Sequence, residues 1–391
     1  MLIRYLTAIA HALLAAANET YSTQTSDRIA QMSDTVGGTL VRSRRMPDEV
    51  GILGILILVA LVMSLLSENF RTVANLQILL LNGAVIAFLA LGQTFVLLTG
   101  GIDLSTGSNV ALTGMLAAVV MESGAGWPVA TLVAVVAGVA VGLFNGAVIH
   151  YLKLPAFIVT FSTFGIAASI PQIMTGAKSV SVADPMFAII GRGALMGIPM
   201  PVVMVIVAAA VLTFFLRRTA TGVYIYAVGG NAETSRLAGI GIGRTTMLVY
   251  AISGLCAAFG GLITTSRLMV GYPTAGSGNE LFFSIAAAVV GGVSLFGGIG
   301  SIPGAFLGAV LIATVSNGMN VIGVDSFWQP LVIGVIILLG VSLDTYRRKL
   351  SLSDLSRLFS RPGSQSPTAR EPLGTASPSL GEGAVSIDNR R

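Results

Sequence analysis

The amino-acid sequence predicts an all-α, polytopic membrane protein of about ten transmembrane helices, some of them short or broken. Three observations predict it. Of 391 residues, 54% are hydrophobic and only 10% are charged, against roughly 25% charged in soluble domains. Charge is displaced to the ends: 10 charged residues fall in 1–49 and 12 in 346–391, leaving 17 between. The apolar runs between those ends are continuous rather than alternating, which argues against a β-barrel. The net charge of +5 has no soluble basic domain to carry it, so nucleic-acid binding is excluded.

The chain divides into a polar N-terminal segment over 1–46, a transmembrane region over 47–349 and a Ser-, Pro- and Gly-rich tail over 350–391. The tail and the segment before the first span are expected to be disordered and solvated. Residues 1–17 are apolar but short and resemble a secretory signal with Ala15-Ala16-Ala17 as its cleavage site. A surface helix, or translation from Met32 or Met46, fits them better. Cleavage would leave Arg42, Arg44 and Arg45 outside, against the positive-inside pattern.

Ten runs approach the roughly 20 apolar residues that a bilayer needs. They are 50–66, 76–98, 110–121, 129–149, 156–174, 201–216, 247–268, 281–293, 302–322 and 328–343. The third and eighth are short, so they are tilted, or broken and re-wound. With ten spans and the N-terminus inside, 11 Lys and Arg residues fall on the inner side and 4 on the outer. That asymmetry places both termini of this multi-pass membrane protein in the cytoplasm.

The longest polar interruption is Arg217 to Arg244, with four arginines and one acid, Glu233. A basic loop of this length (217–245) belongs on the cytoplasmic side. Within it, residues 231–239 read as a short helix. Asn231 suits the N-cap, Glu233 the positive end of the dipole, Arg236 the negative end and Gly239 the stop. The helix is a candidate docking knob for another protein.

Glycine numbers 47. Gly138/Gly142/Gly146 and Gly300/Gly304/Gly308 each repeat at four-residue spacing, which lets helix backbones approach closely in lipid. Three stretches are poor helices. Residues 99–108 (TGGIDLSTGS) either unwind beside a wet passage or form a tight loop with a helix starting near Ser105. Asp103 there either caps that helix or holds the break together. Residues 271–280 (GYPTAGSGNE) form a second break on the outer side, and 291–304 a third. Asn82, Gln93, Asn145, Gln172, Asn317 and Asn320 lie in spans and either face a passage or bond to a neighbouring helix. From these stretches the candidates for a translocation pathway are Asn82, Gln93, Asp103, Ser105, Asn279, Glu280 and Asn317.

Several functions lack their residues. No phosphate-binding loop of the G-x-x-x-x-G-K-[ST] type occurs. One cysteine, Cys256, and two histidines, His11 and His150, leave no basis for an internal disulfide, a metal site or a nucleophilic triad. No catalytic residues, cofactor or metal are assigned, and the chain is not itself an enzyme.

Four segments, in order, resemble the permeases of ribose/xylose-type sugar ABC transporters. They are 92–108 (GQTFVLLTGGIDLSTGS), 222–240 (GVYIYAVGGNAETSRLAGI), 273–281 (PTAGSGNEL) and 291–300 (GGVSLFGGIG). In place of the acidic-then-aliphatic pattern frequent after the Glu, this chain has Phe282-Phe283. The resemblance implies an ABC importer permease fold and three kinds of partner: a cytoplasmic ABC ATPase, a periplasmic sugar-binding protein and a second permease copy. It makes 231–240 the coupling helix, with Leu237 and Ile240 in an ATPase groove and Asn231, Glu233 and Arg236 at its cap and rim. The binding protein would land near Lys178–Arg192 and Gly271–Glu280. Permeases for branched-chain amino acids or nucleosides share this architecture; the Gly-Ile-Asp-Leu-Ser stretch favours sugars. An ion-coupled transporter would need ionisable residues at the midplane, where only Asp103 is a candidate.

Overall fold

The computed structural model describes residues 48–276, 278–342 and 345. The polar segment and signal-like stretch expected over 1–46, and the tail expected over 350–391, lie outside the described residues. Seven helices are long and apolar enough to cross a membrane. They are α1 (Asp48–Leu66), α2 (Val73–Leu98), α4 (Trp127–Leu152), α5 (Ala156–Thr175), α7 (Met200–Arg218), α10 (Ile242–Leu268) and α12 (Ile302–Val321). Three shorter ones complete the expected order: α3 (Thr106–Glu122), α11 (Glu280–Val290) and α13 (Ser326–Ser342), which opens with a 3₁₀ turn. The third run lies inside an unbroken helix, α3, that follows the non-helical residues 99–105, and the eighth is a helix of only 11 residues, α11, that ends at Val290.

Local chemistry sets most helix ends. Thr72 caps α2 by accepting from the Asn75 amide at 3.2 Å, and Ser301 caps α12 by accepting from Gly304 at 3.1 Å. Lys153, at φ 53, ends α4 just before Leu154-Pro155, and Pro155 starts the turn into α5. Gly176, at φ 60, stops α5.

Two connections hold structure that the sequence reading missed. The loop 217–245 contains α8 (Ala220–Gly230) ahead of the expected short helix, α9 (Ala232–Leu237). Between α5 and α7 lie β1 (Val180–Ser181), α6 (Pro185–Arg192) and the hairpin β2 (Ala194–Leu195)–β3 (Ile198–Pro199). The strands have two residues each and α6 has eight, too short for a hydrophobic period to mark them. β1 pairs antiparallel with β4 (Val270–Gly271), Val180 against Gly271. These strands mark one end of the bundle, the hairpin end; α8, α9, Lys153 and Arg244 mark the other, the basic end.

α10 is the central helix, packed by α2, α3 and α4, while α12 packs on α1, α2 and α11. The glycine stripes serve this packing. A Cβ on Gly142 would strike the Tyr250 carbonyl, and one on Gly138 would stand 2.7 Å from the Gly254 carbonyl and from Ala258. Gly304 and Gly308 likewise lie on the carbonyls of Gly291 and Ala287. Lipid supplies no hydrophobic drive between helices, so backbone approach and dispersion must hold α4 to α10.

A matched pair of substitutions tests this. Gly142→Ala should lower stability by about 1–3 kcal/mol, because the neighbour is backbone and cannot turn aside. Gly165→Ala, on the open face of α5 with nothing within 4 Å, should be neutral or slightly stabilising. Thermal unfolding of the detergent-purified chain reads both, and equal midpoints would refute the close-packing account.

Candidate functional site

The polar groups gather in three places: a projecting helix at the basic end and two breaks inside the bundle. At the basic end, Thr219 caps α8 by accepting from Gly222 at 3.2 Å. Asn231 caps α9, its Oδ1 accepting from the Thr234 amide at 2.9 Å, and Ser235 Oγ donates back to the Asn231 carbonyl at 2.8 Å. Gly239, at φ +81, turns the chain away from the helix. Glu233 accepts from Arg236 Nε at 3.1 Å, and that guanidinium holds the exposed carboxyl below its ordinary range. Leu237 is 75% exposed, an apolar side chain on an otherwise polar knob, and Ile240 is half-buried. Such a lone apolar side chain, rimmed by an ion pair, suits a partner's groove.

α8 ties this knob to the bundle. Gly229 lies so close to the Leu98 carbonyl that a Cβ would overlap it, and the same Cβ would stand 2.6 Å from the Gly298 amide nitrogen. Gly298 N–H donates to Leu98 O at 2.9 Å, and Tyr226 Oη donates to Gly300 O at 2.8 Å. Gly297 and Gly298 take φ +83 and +76, a backbone path open to glycine. The end of α2, the loop before α12 and α8 therefore meet backbone to backbone.

In the first break, residues 100–105 are non-helical. Asp103 is 1% exposed, and Ser253, its partner, stands near the middle of the 27-residue α10. Asp103 Oδ1 accepts from Ser105 N at 2.9 Å and from Ser105 Oγ at 2.6 Å; Oδ2 accepts from Ser253 Oγ at 2.7 Å. Asn145 of α4 donates to Ser105 Oγ at 2.9 Å. Tyr250 Oη and Thr160 Oγ1 both donate to the Ile102 carbonyl, at 3.3 and 3.2 Å. The carboxylate makes no bond to the first amides of α3, whose N-cap, Ser105, makes no side-chain cap. It joins the break to α10, and through Ser105 to α4.

The second break brings other candidates to the first. A Cβ on Gly260 of α10 would stand 3.4 Å from Val110 and 3.6 Å from Leu89, so α2, which carries Gln93, and α3, which opens with Thr106, both pack on α10. A Cβ on Gly107 would meet Leu281 Cβ at 3.4 Å, so Glu280 comes up beside Thr106. Gln93 and Thr106 are buried to within 1% of exposure. Among the described residues, neither amide atom of Gln93, nor Thr106 Oγ1, nor Glu280 Oε2 has a hydrogen-bond partner. Asn279, at the N-cap of α11, is half-buried.

The remaining candidates lie elsewhere. Asn317 and Asn75 exchange two bonds of 3.0 Å, joining α12 to α2. Asn82 is exposed and accepts from Arg267 Nη1 at 2.6 Å. Both are helix-to-helix ties. Sequence reasoning missed Ser253, Thr106, Tyr226 and Gly229. Serines, threonines and single glycines inside apolar spans carry no period or motif, and only their positions across from Asp103, Gln93 and Leu98 single them out. Among the described residues no cluster of three His, Cys, Asp or Glu could hold a metal.

Residues 75–341 match the family model described as branched-chain amino acid transport system / permease component. The chain is similar to ribose import permease protein RbsC of Escherichia coli (strain K12): 38% identical over 306 residues, 77% of this chain and 94% of the relative. It is also similar to D-allose transport system permease protein AlsC of the same strain, at 36% over 76% of this chain and 91% of the relative. L-arabinose ABC transporter permease protein AraH of Azospirillum brasilense matches at 35% over 76% and 88%. No solved structure matches the chain.

The Asp103 knot yields a graded prediction. Asp103→Asn keeps an acceptor for one partner and should cost less stability than Asp103→Ala, which strands Ser253 and Ser105 in a buried site. The alanine variant should lose about 2–5 kcal/mol. Thermal unfolding in detergent checks the order, and a neutral alanine variant would show that the carboxylate does not hold the break.

Proposed function

This chain belongs to the branched-chain amino acid transport system / permease component family, and on that premise we propose that it is the membrane-spanning subunit of an ATP-driven importer for a monosaccharide. Relatives that it matches over about nine-tenths of their length are named for ribose, allose and arabinose, which supports a sugar cargo. No second reading has an observation in its favour: the one deeply buried acid in the spans, Asp103, is engaged by two serines rather than set in a relay.

In the proposed mechanism the basic end faces the cytoplasm, as the positive-inside pattern supports, in the inner membrane with both termini inside. α9 docks in a groove of a separate ATPase, with Leu237 buried, Ile240 beside it and the Glu233–Arg236 pair at the rim. Asn231 keeps the helix capped. ATP-driven closure of the ATPase pair drags α9, and α8 carries the displacement into Leu98 and Gly298. The single observation that carries this reading is the backbone contact of Gly229 with those two segments. At the hairpin end, β1 and β4 bring 178–192 and 271–280 together, which supports one landing surface for a periplasmic sugar-binding protein. A second permease copy completes the transporter. Gln93, Thr106, Asn279 and Glu280 offer donors and acceptors to sugar hydroxyls on the way through, while Asp103 and Ser105 hold the break open for them.

Two substitutions separate docking from transmission. Leu237→Glu puts a charge into the ATPase groove, so ATPase co-purification and sugar uptake should both fall about tenfold or more, with membrane insertion intact. Gly229→Ala should keep the ATPase bound while uptake falls, because only the contact behind the knob is disturbed. Full ATPase recovery with Leu237→Glu would remove the docking role.

The energy source is tested by uptake of ribose, allose and arabinose into vesicles given an uncoupler. Uptake should persist while ATP lasts. Collapse with the proton gradient at constant ATP would overturn the ABC reading in favour of a secondary transporter.

A further inference from the structure

At the basic end a groove of about 520 Å³ opens between the last turn of α4, the start of α10 and the chain leaving α9. Lys153, Arg244, Arg236 and His150 line it beside Tyr151 and Met247, and no acid does. Arg236 is held by Glu233, whereas Lys153 and Arg244 make no ion pair among the described residues. Lys153 ends α4 with a left-handed φ of 53, and the His150 ring sits directly over Gly243.

The outer flank of the groove is apolar and uncovered. Tyr151 is 69% exposed, Leu152 62% and Phe157 58%, on the last turn of α4 and the first of α5. On two membrane-crossing helices such a band faces acyl chains wherever the second permease copy does not cover it. A tyrosine next to it marks the headgroup level, and two unpaired cations lie at that level. Apolar band, interfacial aromatic and cations in sequence match the order of chemistry along a phospholipid molecule.

We propose that this groove binds the phosphate headgroup of an anionic phospholipid of the cytoplasmic leaflet, with Lys153 and Arg244 on the phosphate and the acyl chains along Leu152 and Phe157. Its lipid would brace the linker between α9 and α10, so that membrane composition sets how firmly the projecting helix is held. The inference rests on the membrane-crossing, basic-end-inward reading and is independent of which solute is carried. An acidic loop of the ATPase is the competing occupant; the exposed band favours lipid, because a soluble subunit would leave that band uncovered.

The test is native mass spectrometry of the full chain, extracted with whatever subunits it retains and titrated with phosphatidylglycerol or phosphatidylcholine. The expected result is one tightly held phosphatidylglycerol per chain and no equivalent phosphatidylcholine. Lys153→Ala with Arg244→Ala should weaken that binding about 30-fold, two basic groups at the usual strength for juxtamembrane charges. Lys153→Arg with Arg244→Lys should retain it, which separates lost charge from lost fold. Equal binding of the two lipids, unchanged binding in the alanine pair, loss in the charge-conserving pair, or binding only in particles stripped of ATPase would each overturn the proposal. Failure to recover any ATPase would count against the importer reading instead, and leaves the lipid measurement intact.

Discussion

The backbone of α8 lies directly on the backbone of two other segments, and no side chain stands between them. Gly229 touches Leu98 and Gly298, and Leu98 and Gly298 bond to each other. Close-packed interiors transmit displacement because they have few voids to absorb it, and a glycine-on-carbonyl contact has less slack than one between long side chains. Leu98 leads into the first break through Gly100, and Gly298 leads into α12 through the Ser301 cap. A push on α9 therefore has two routes into the bundle, one on each side of α2.

Lipid sets the terms for everything further in. An exposed amide or carbonyl in hydrocarbon costs several kcal/mol, so unwound chain at membrane depth must be enclosed by protein. The first break meets this condition at Asp103 and Ser105, which are buried, and in part at the half-buried Ile102, through hydrogen bonds from neighbouring helices. The Ile102 carbonyl receives two hydroxyls, and Asp103 receives an amide and two hydroxyls. A buried carboxylate tolerates such a place only when its lone pairs are occupied. The same requirement explains why α10 is not evenly apolar: Tyr250 and Ser253 sit one turn apart on the side that meets the break.

Hydropathy and glycine spacing made the scaffold legible. Each crossing element falls where a continuous apolar run lies, and the stripes at Gly138/Gly142/Gly146 and Gly300/Gly304/Gly308 are where backbones meet. The capped helix at 231–239 was legible because capping is local chemistry: Asn231, Glu233, Arg236 and Gly239 each report on their own turn. α8 was not, because residues 220–230 carry no charge and no cap signal beyond Thr219. Asp103 was conspicuous as an acid in an apolar setting, yet its partner Ser253 lies 150 residues away, and Asn145, which donates to Ser105, lies 40 residues from that serine, so neither leaves a trace in spacing. Polar residues in spans looked alike in sequence. The structure divides them, with Asn317 and Asn82 occupied by Asn75 and Arg267 and Gln93 left without a partner.

That division separates two kinds of buried polar group. A carboxylate whose two oxygens are both engaged, as Asp103 is by Ser105 and Ser253, gains nothing from an incoming hydroxyl and loses a bond if one intrudes, so its physical effect is to fix geometry. An unsatisfied set such as Gln93, Thr106 and Glu280 holds donors and acceptors at a cost of about 1–3 kcal/mol for each group left unmade, a cost that a polyhydroxylated solute would relieve while it passes. A transporter needs such sites to be weak as well as polar, since a solute bound with every hydroxyl satisfied would not leave. On the proposed function, groups drawn from separate elements change their spacing when those elements shift, and one route from α9 enters at the end of α2, which carries Gln93. On the proposed function, the same displacement that the ATPase applies at the surface would pull this set apart and release its cargo.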